Sequence, residues 1–258
     1  MRPTRSTDLE VVEQGGGGQL VVFVHGVFDR GGAFDPVVRL LSAECRMLAY
    51  DRRGYGRSVN AHGVPADIHR HVADLLTILD GRSAVLVGHS FGGYVALGAA
   101  LEAPELTQAL VMYESALAWT PGWDDRVLAP LLQAEGAEEA AVRLMFSRQI
   151  EVMTEEQRAF RLREAKTFVV EERSVRTNGP PFDLSSLEVP LVYGYSATEP
   201  FARVAEYLRR TLPAVETVVL PGAGHNAHRS APERFADLVR RGIALGAGRR
   251  PAPRGQEA

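Results

Sequence analysis

Six short runs of apolar, mostly β-branched residues recur along the chain: "QLVVFV" (19–24), "RMLAY" (46–50), "AVLVG" (84–88), "ALVMY" (109–113), "PLVYG" (190–194) and "ETVVL" (216–220). They are continuous rather than alternating, so each needs apolar cover on both faces, as the strands of a helix-covered parallel sheet do. Helix-period segments stand between them. "FDPVVRLLSAE" (34–44) puts Val37, Val38, Leu40 and Leu41 on one side, and "DIHRHVADLLTILDG" (67–81) has Asp67 as N-cap and Gly81 just past its end. "FADLVRRGIAL" (235–245) supplies a closing helix. Strand, helix, strand, helix predicts a doubly wound α/β sheet. Ahead of the first run, "EQGGGG" (13–18) reads as a turn between strands; it lacks the lysine and hydroxyl residue of a phosphate-binding loop.

The alternation breaks once. Residues 115–186 hold no strand pattern but several amphipathic ones, among them "DDRVLAPLLQAE" and "TEEQRAFRLREAKTFVVEE". This predicts a helical cap at 115–186 inserted into a core formed by 1–114 and 187–245, with a disordered tail at 246–258 rich in glycine, proline and arginine. The 258 residues, 45% of them hydrophobic, suffice for one large core with such an insertion.

A net charge of −3 gives no electrostatic reason to expect nucleic acid or an anionic membrane as partner. The single cysteine, Cys45, allows no internal disulfide and no cysteine-based metal site, and no stretch is long and apolar enough to span a bilayer. The opening residues lack the apolar core of a secretory signal, so the expectation is a soluble, cytoplasmic protein with a small-molecule substrate and neither metal nor cofactor. The oligomeric state is open.

"VLVGHSFGGYV" carries the chemistry. Gly88, Ser90 and Gly92 form G-x-S-x-G between a strand and the helix "FGGYVALGAAL". A sharp strand-to-helix turn strains the serine backbone and exposes its hydroxyl, while the glycines remove Cβ atoms that would collide across the turn. A serine nucleophile needs a base, and His225 in "LPGAGHNAHRSAPERF" lies after a strand run and before the last helix. His228 is the lesser candidate; His62, His69 and His71 suit solvated positions around a helix. The oxyanion of an acyl transfer needs backbone donors. Val27, after the strand end "VFVHG", and Phe91, directly after the serine, supply them; His25 reads as a residue that orients the loop.

Four segments together, "VFVHGVF", "YDRRGYGRS", "VGHSFGG" and "GAGHNAH" with "PERF" behind it, resemble the α/β-hydrolase superfamily from about residue 8 to 245. "YDRRGYGRS" is similar to a loop of its bacterial esterase and cofactor-free perhydrolase branch. The resemblance implies an eight-stranded, mostly parallel sheet, a helical cap and a Ser-His-acid triad; sequence patterns alone supply seven strands. The acid departs from the family. Its usual place after the strand that follows the cap is occupied by "YGYSATEPF", with Ala197 where the aspartate is expected. Glu199 in that segment is one replacement. Glu114, at the preceding strand end in "MYESALA", is the other and the preferred one, because that segment resembles haloalkane dehalogenases that carry the acid there. The expected activity is cleavage of a small to medium, fairly hydrophobic carboxylic ester through an acyl-enzyme. Thioester hydrolysis, perhydrolysis and carbon–carbon cleavage on the same site are alternatives, as is a near-inactive binding protein on the same fold. Trp119, Trp123, Leu144, Met145, Phe146 and Phe168 of the cap are candidates to line an apolar pocket or simply to pack it.

Overall fold

The computed structural model describes residues 7–177 and 179–248. Seven strands form one sheet: β1 (Val11–Gln14), β2 (Leu20–Val24), β3 (Arg46–Tyr50), β4 (Ala84–His89), β5 (Thr107–Tyr113), β6 (Leu191–Tyr195) and β7 (Glu216–Val219). Their order is β1-β3-β2-β4-β5-β6-β7, parallel throughout except for β1 against β3. The expected eighth strand is absent among the described residues. Between β1 and β2 stand only Gly15–Gly18 and Gln19, which leaves no apolar run for a further strand there.

The continuous runs are two-sided, as their composition requires. Along β2, Val22 and Val24 join one core with Leu86, Leu110 and Tyr193, whereas Val21 and Phe23 join the opposite core with Val85, Val111 and Val192. The first core is closed by α2 (Ile68–Leu79), α3 (Phe91–Glu102) and α7 (Phe201–Thr211), the second by α1 (Asp35–Leu41), the short α8 (Ala227–Ser230) and α9 (Pro232–Ala247). Asp67 caps α2 through its side chain to the Arg70 N–H at 2.8 Å, and the helix ends at left-handed Asp80 before Gly81. The last helix runs two residues into the expected tail, to Ala247; residues 249–258 lie outside the described residues.

Between β5 and β6 the described residues form no strand. They carry α4 (Leu128–Gln133), α5 (Ala137–Met145) and the long α6 (Glu155–Ser174), whose Thr154 and Gln157 make a reciprocal capping box. No helix among the described residues is long and apolar enough to cross a membrane.

Candidate active site

The C-terminal ends of β2, β4, β5 and β6 lie along one edge of the sheet, where open α/β sheets place their ligands. Each delivers one part of the site.

At the end of β4, Ser90 has φ 52° and ψ −124°, left-handed backbone that a side chain adopts only under strain. The glycines around it are required by close approach, although not by collision with each other's Cβ alone. A Cβ on Gly88 would lie 2.5 Å from the Gly92 carbonyl oxygen, whereas one on Gly92 would lie 2.1 Å from that of Val24. Gly92 therefore clears the end of β2. Phe91 opens α3, in the first turn, where N–H groups have no intrahelical acceptor. Gly26, beyond the end of β2, lies against the serine: a Cβ there would come 2.9 Å from Ser90 Cβ. Val27 and Phe28 follow, with Phe28 also at positive φ.

Glu114, just past β5, is buried at 1% exposure and has φ 45°. One carboxylate oxygen, Oε2, lies 2.8 Å from Nδ1 of His225. The other accepts the Ser196 N–H at 2.9 Å and the Ser196 hydroxyl. Burial raises the affinity of this carboxyl for a proton, but the hydrogen bonds from His225 and Ser196 outweigh it and hold the group below its ordinary value. Glu199, the alternative acid, is 63% exposed and 3.5 Å from Arg203 Nε. Thus the structure brings Glu114, and not Glu199, to the histidine.

His225 sits on the loop after β7 with its side chain 42% exposed, so its ring reaches the surface of the site. The residues just before Ser90 and Glu114 pin that loop: His89 donates through Nε2 to the His225 carbonyl at 2.8 Å, and the Tyr113 hydroxyl donates to the Gly224 carbonyl at 2.7 Å. Phe201 stacks on the His225 ring, with centroids 5.3 Å apart and planes within 13°. Ser196, His89, Tyr113 and Phe201 were not singled out from sequence for this role; none carries a motif, and each acts through its place at a strand or helix end.

The other histidines divide. His228 is fully buried against Phe34 and Phe235, with Nε2 3.5 Å from Asp29 Oδ2. His62 and His69 are exposed, but His71 is not, against expectation: three residues after Ile68 and four before Leu75, it shares their buried face and meets Glu171 Oε2 at 2.9 Å. His25 is buried with Nδ1 2.7 Å from the Gly26 carbonyl, and its Nε2 accepts the Arg52 N–H at 2.8 Å. Burial and the Arg52 cation push its pKa down to about 3, so it stays neutral and orients the loop. Among the described residues, one group of metal-ligating side chains converges, Asp29, His89 and His228, with donor atoms within 4.8 Å of one another. Two ligands on one zinc at about 2.1 Å each can be no more than about 4.2 Å apart. A pair of donors at the full 4.8 Å is too far apart to share a zinc ion.

"YDRRGYGRS" shapes the edge without entering it. Asp51 accepts the N–H groups of Gly31 at 2.8 Å and Arg57 at 2.7 Å, and Arg53 pairs with Asp74 at 2.8 Å and Asp8 at 2.9 Å. The aromatics between β5 and β6 pack on neighbouring rings, and Phe146 with Phe28 also lines a surface pocket. Phe168 is buried 5.1 Å from Phe28, Phe146 meets Phe28 edge-on at 5.3 Å, Trp119 lies 5.4 Å from Tyr94, and Leu144 and Met145 remain exposed.

Comparison with known proteins agrees with this architecture. Residues 21–238 match the model of the alpha/beta hydrolase family. A pyrethroid hydrolase of Sphingobium wenxiniae is 27% identical over 85% of this chain and 85% of its own length. A pimeloyl-[acyl-carrier protein] methyl ester esterase of Nitrosomonas europaea is 28% identical over 87% and 95%. A thermophilic esterase from Thermogutta terrifontis superposes with a TM-score of 0.69 at 22% identity, covering 94% of this chain and 97% of that one. The strand order, the elbow at β4 and a match spanning most of the sequence lead to one conclusion: this chain belongs to the alpha/beta hydrolase family.

Proposed function

We propose that the protein hydrolyses carboxylic esters of small to medium, fairly hydrophobic substrates through an acyl-enzyme formed on Ser90. The observation that carries this reading is the 2.8 Å contact between His225 Nδ1 and a buried Glu114 carboxylate, on the same sheet edge as a strained serine. Two relatives that align over most of the chain are named for hydrolase and ester hydrolase activities, which supports the same reaction class.

In the proposed mechanism, Ser90 Oγ attacks the ester carbonyl and passes its proton to His225 Nε2. Glu114 keeps the Nδ1 proton in place, fixing the tautomer that leaves Nε2 free, and stabilises the imidazolium that forms. The N–H groups of Val27 and Phe91 bind the tetrahedral oxyanion, each worth on the order of a hundred- to thousandfold in rate. The imidazolium protonates the leaving alcohol. Water, deprotonated by His225, then hydrolyses the acyl-enzyme and restores the serine.

Rates on p-nitrophenyl esters of short and medium acyl chains test the assignment. Ser90→Ala and Glu114→Gln should each lose at least about a hundredfold in kcat/KM, while Glu199→Gln stays within about twofold. Loss with Glu199→Gln and retention with Glu114→Gln would move the acid to the β6 loop. A wild-type rate no greater than that of Ser90→Ala would remove the esterase reading.

A further inference from the structure

Arg52 is fully buried behind the loop that follows β2, and its hydrogen bonds are unusual in their targets. Nε donates to the His25 carbonyl at 2.9 Å and Nη2 to the Gly26 carbonyl at 3.1 Å. The Gly26 carbonyl belongs to the peptide group whose N–H is that of Val27. The same oxygen lies 2.7 Å from His25 Nδ1. The guanidinium also stacks on the Phe91 ring, 5.0 Å from its centroid, so one cation touches both segments that carry the proposed oxyanion donors.

The charge on Arg52 is held from the helical insertion. Nη1 lies 2.6 Å from Glu171 Oε2 on α6, and neither side chain is exposed. Glu171 further accepts from the Tyr55 hydroxyl and lies 2.9 Å from His71. Burial alone would raise the Glu171 carboxyl, but Arg52 and the bonds from His71 and Arg52 hold it below its ordinary value, so the pair is ionic. A buried ion pair of this kind adds little stability over an apolar pair of similar volume. Its placement has a different consequence. A cation bonded to a peptide carbonyl polarises the whole amide and strengthens its N–H as a donor, and it fixes the plane in which that N–H points.

We propose that Arg52 and Glu171 are positioning residues for the oxyanion site: Glu171 of the insertion orients Arg52, and Arg52 orients and polarises the Gly26–Val27 peptide. The insertion thereby contributes to transition-state stabilisation through the back of the loop, without touching substrate. The proposal rests on the ester hydrolase reading above.

The test separates packing from catalysis. Glu171→Met leaves Arg52 buried without its carboxylate and should lower Tm sharply, whereas Arg52→Met with Glu171→Met removes both charges and should recover part of that loss, the Tyr55 hydroxyl and His71 still lacking their carboxylate partner. On p-nitrophenyl esters the double variant should keep KM within about twofold and lose about ten- to a hundredfold in kcat. The Ki of an aliphatic trifluoromethyl ketone, whose serine adduct carries a tetrahedral oxyanion, should rise in the same proportion as kcat/KM falls. A folded double variant with kcat and Ki within threefold of wild type overturns the proposal. If the double variant does not fold, Glu171→Gln decides. It keeps a hydrogen-bond partner for Arg52, and a kcat and Ki unchanged within twofold would reduce the pair to a structural role. Absence of any Ser90-dependent hydrolysis by wild type defeats the ester reading instead, and shows as a different result: no rate to lose.

Discussion

Ser90, Phe28 and Glu114 all take positive φ without being glycine, at 52°, 51° and 45°, and all three stand at strand ends on the same edge. Such backbone costs of order 1–3 kcal/mol per residue and persists where the surroundings enforce it. A direct consequence is measurable at Ser90. Ser90→Ala removes the hydroxyl but keeps the Cβ and its strain; Ser90→Gly removes both. In urea unfolding the glycine variant should be about 1 kcal/mol more stable than the alanine variant, the relief of strain exceeding the larger chain entropy that glycine loses. Equal stabilities would mean that the turn relaxes around alanine. At this scale Ser90 and His225 were legible because G-x-S-x-G and a late histidine are local patterns with a steric or chemical reason. His71 was misjudged as solvated although its spacing from Ile68 and Leu75 puts it on their buried face; its polar partner, Glu171, comes a hundred residues later in the chain. Arg52 was not singled out in "YDRRGYGRS", since its partner Glu171 also lies far along the chain.

At the scale of elements, α3 and the end of β5 are packed to contact. Gly93 lies inside α3, where alanine ordinarily gains about 1 kcal/mol over glycine. Here a Cβ would fall 1.7 Å from Ser115 Oγ and 2.7 Å from its Cβ, and Ser115 is fully buried next to Glu114. Gly93→Ala should therefore cost about 1–3 kcal/mol instead, and Ser115→Gly in the same chain should restore part of it. Additive losses in the double-mutant cycle would show that the two positions do not meet. The strands and the helix α2 were readable from sequence because buried two-sided strands and a capped amphipathic helix leave periodic marks. The acid was only partly readable. A glutamate after an apolar run marks a strand end, but nothing local says that Ser196, from a strand 82 residues on, will hold its carboxylate in place. The eighth strand, absent among the described residues, was an inference from family likeness that the chain's own patterns did not supply.

At the scale of the whole molecule, the buried Glu172 carboxyl on α6 adds its own contribution to the dependence of stability on pH. Burial pushes the Glu172 carboxyl up to about 6 from 4.5, with Arg176 opposing and Glu171 reinforcing. The folded state then binds more protons than the unfolded one between pH 4.5 and 6, so this residue's contribution falls as pH rises through that window. The size is about 2 kcal/mol. Glu172→Gln should abolish that decline: the stability difference between variant and wild type should grow by about 2 kcal/mol from pH 4.5 to pH 7. A difference that is flat with pH would place the Glu172 carboxyl at its ordinary value.

The contact between Ser196 and Glu114 bears on how such triads are recognised as well. The ends of β5 and β6 are so close that the N–H after one strand bonds the carboxylate after the other, at 2.9 Å. The carboxylate after β5 thus meets the His225 imidazole while the backbone after β6 holds it in place. On the proposed reading, the acid stands one strand earlier than the place after β6 that the family likeness implies, while the histidine keeps its place after the last strand. On that reading, a search for triads that accepts only an aspartate after β6 would pass over this chain, whereas one that starts from the imidazole nitrogen and asks which carboxylate touches it would find Glu114.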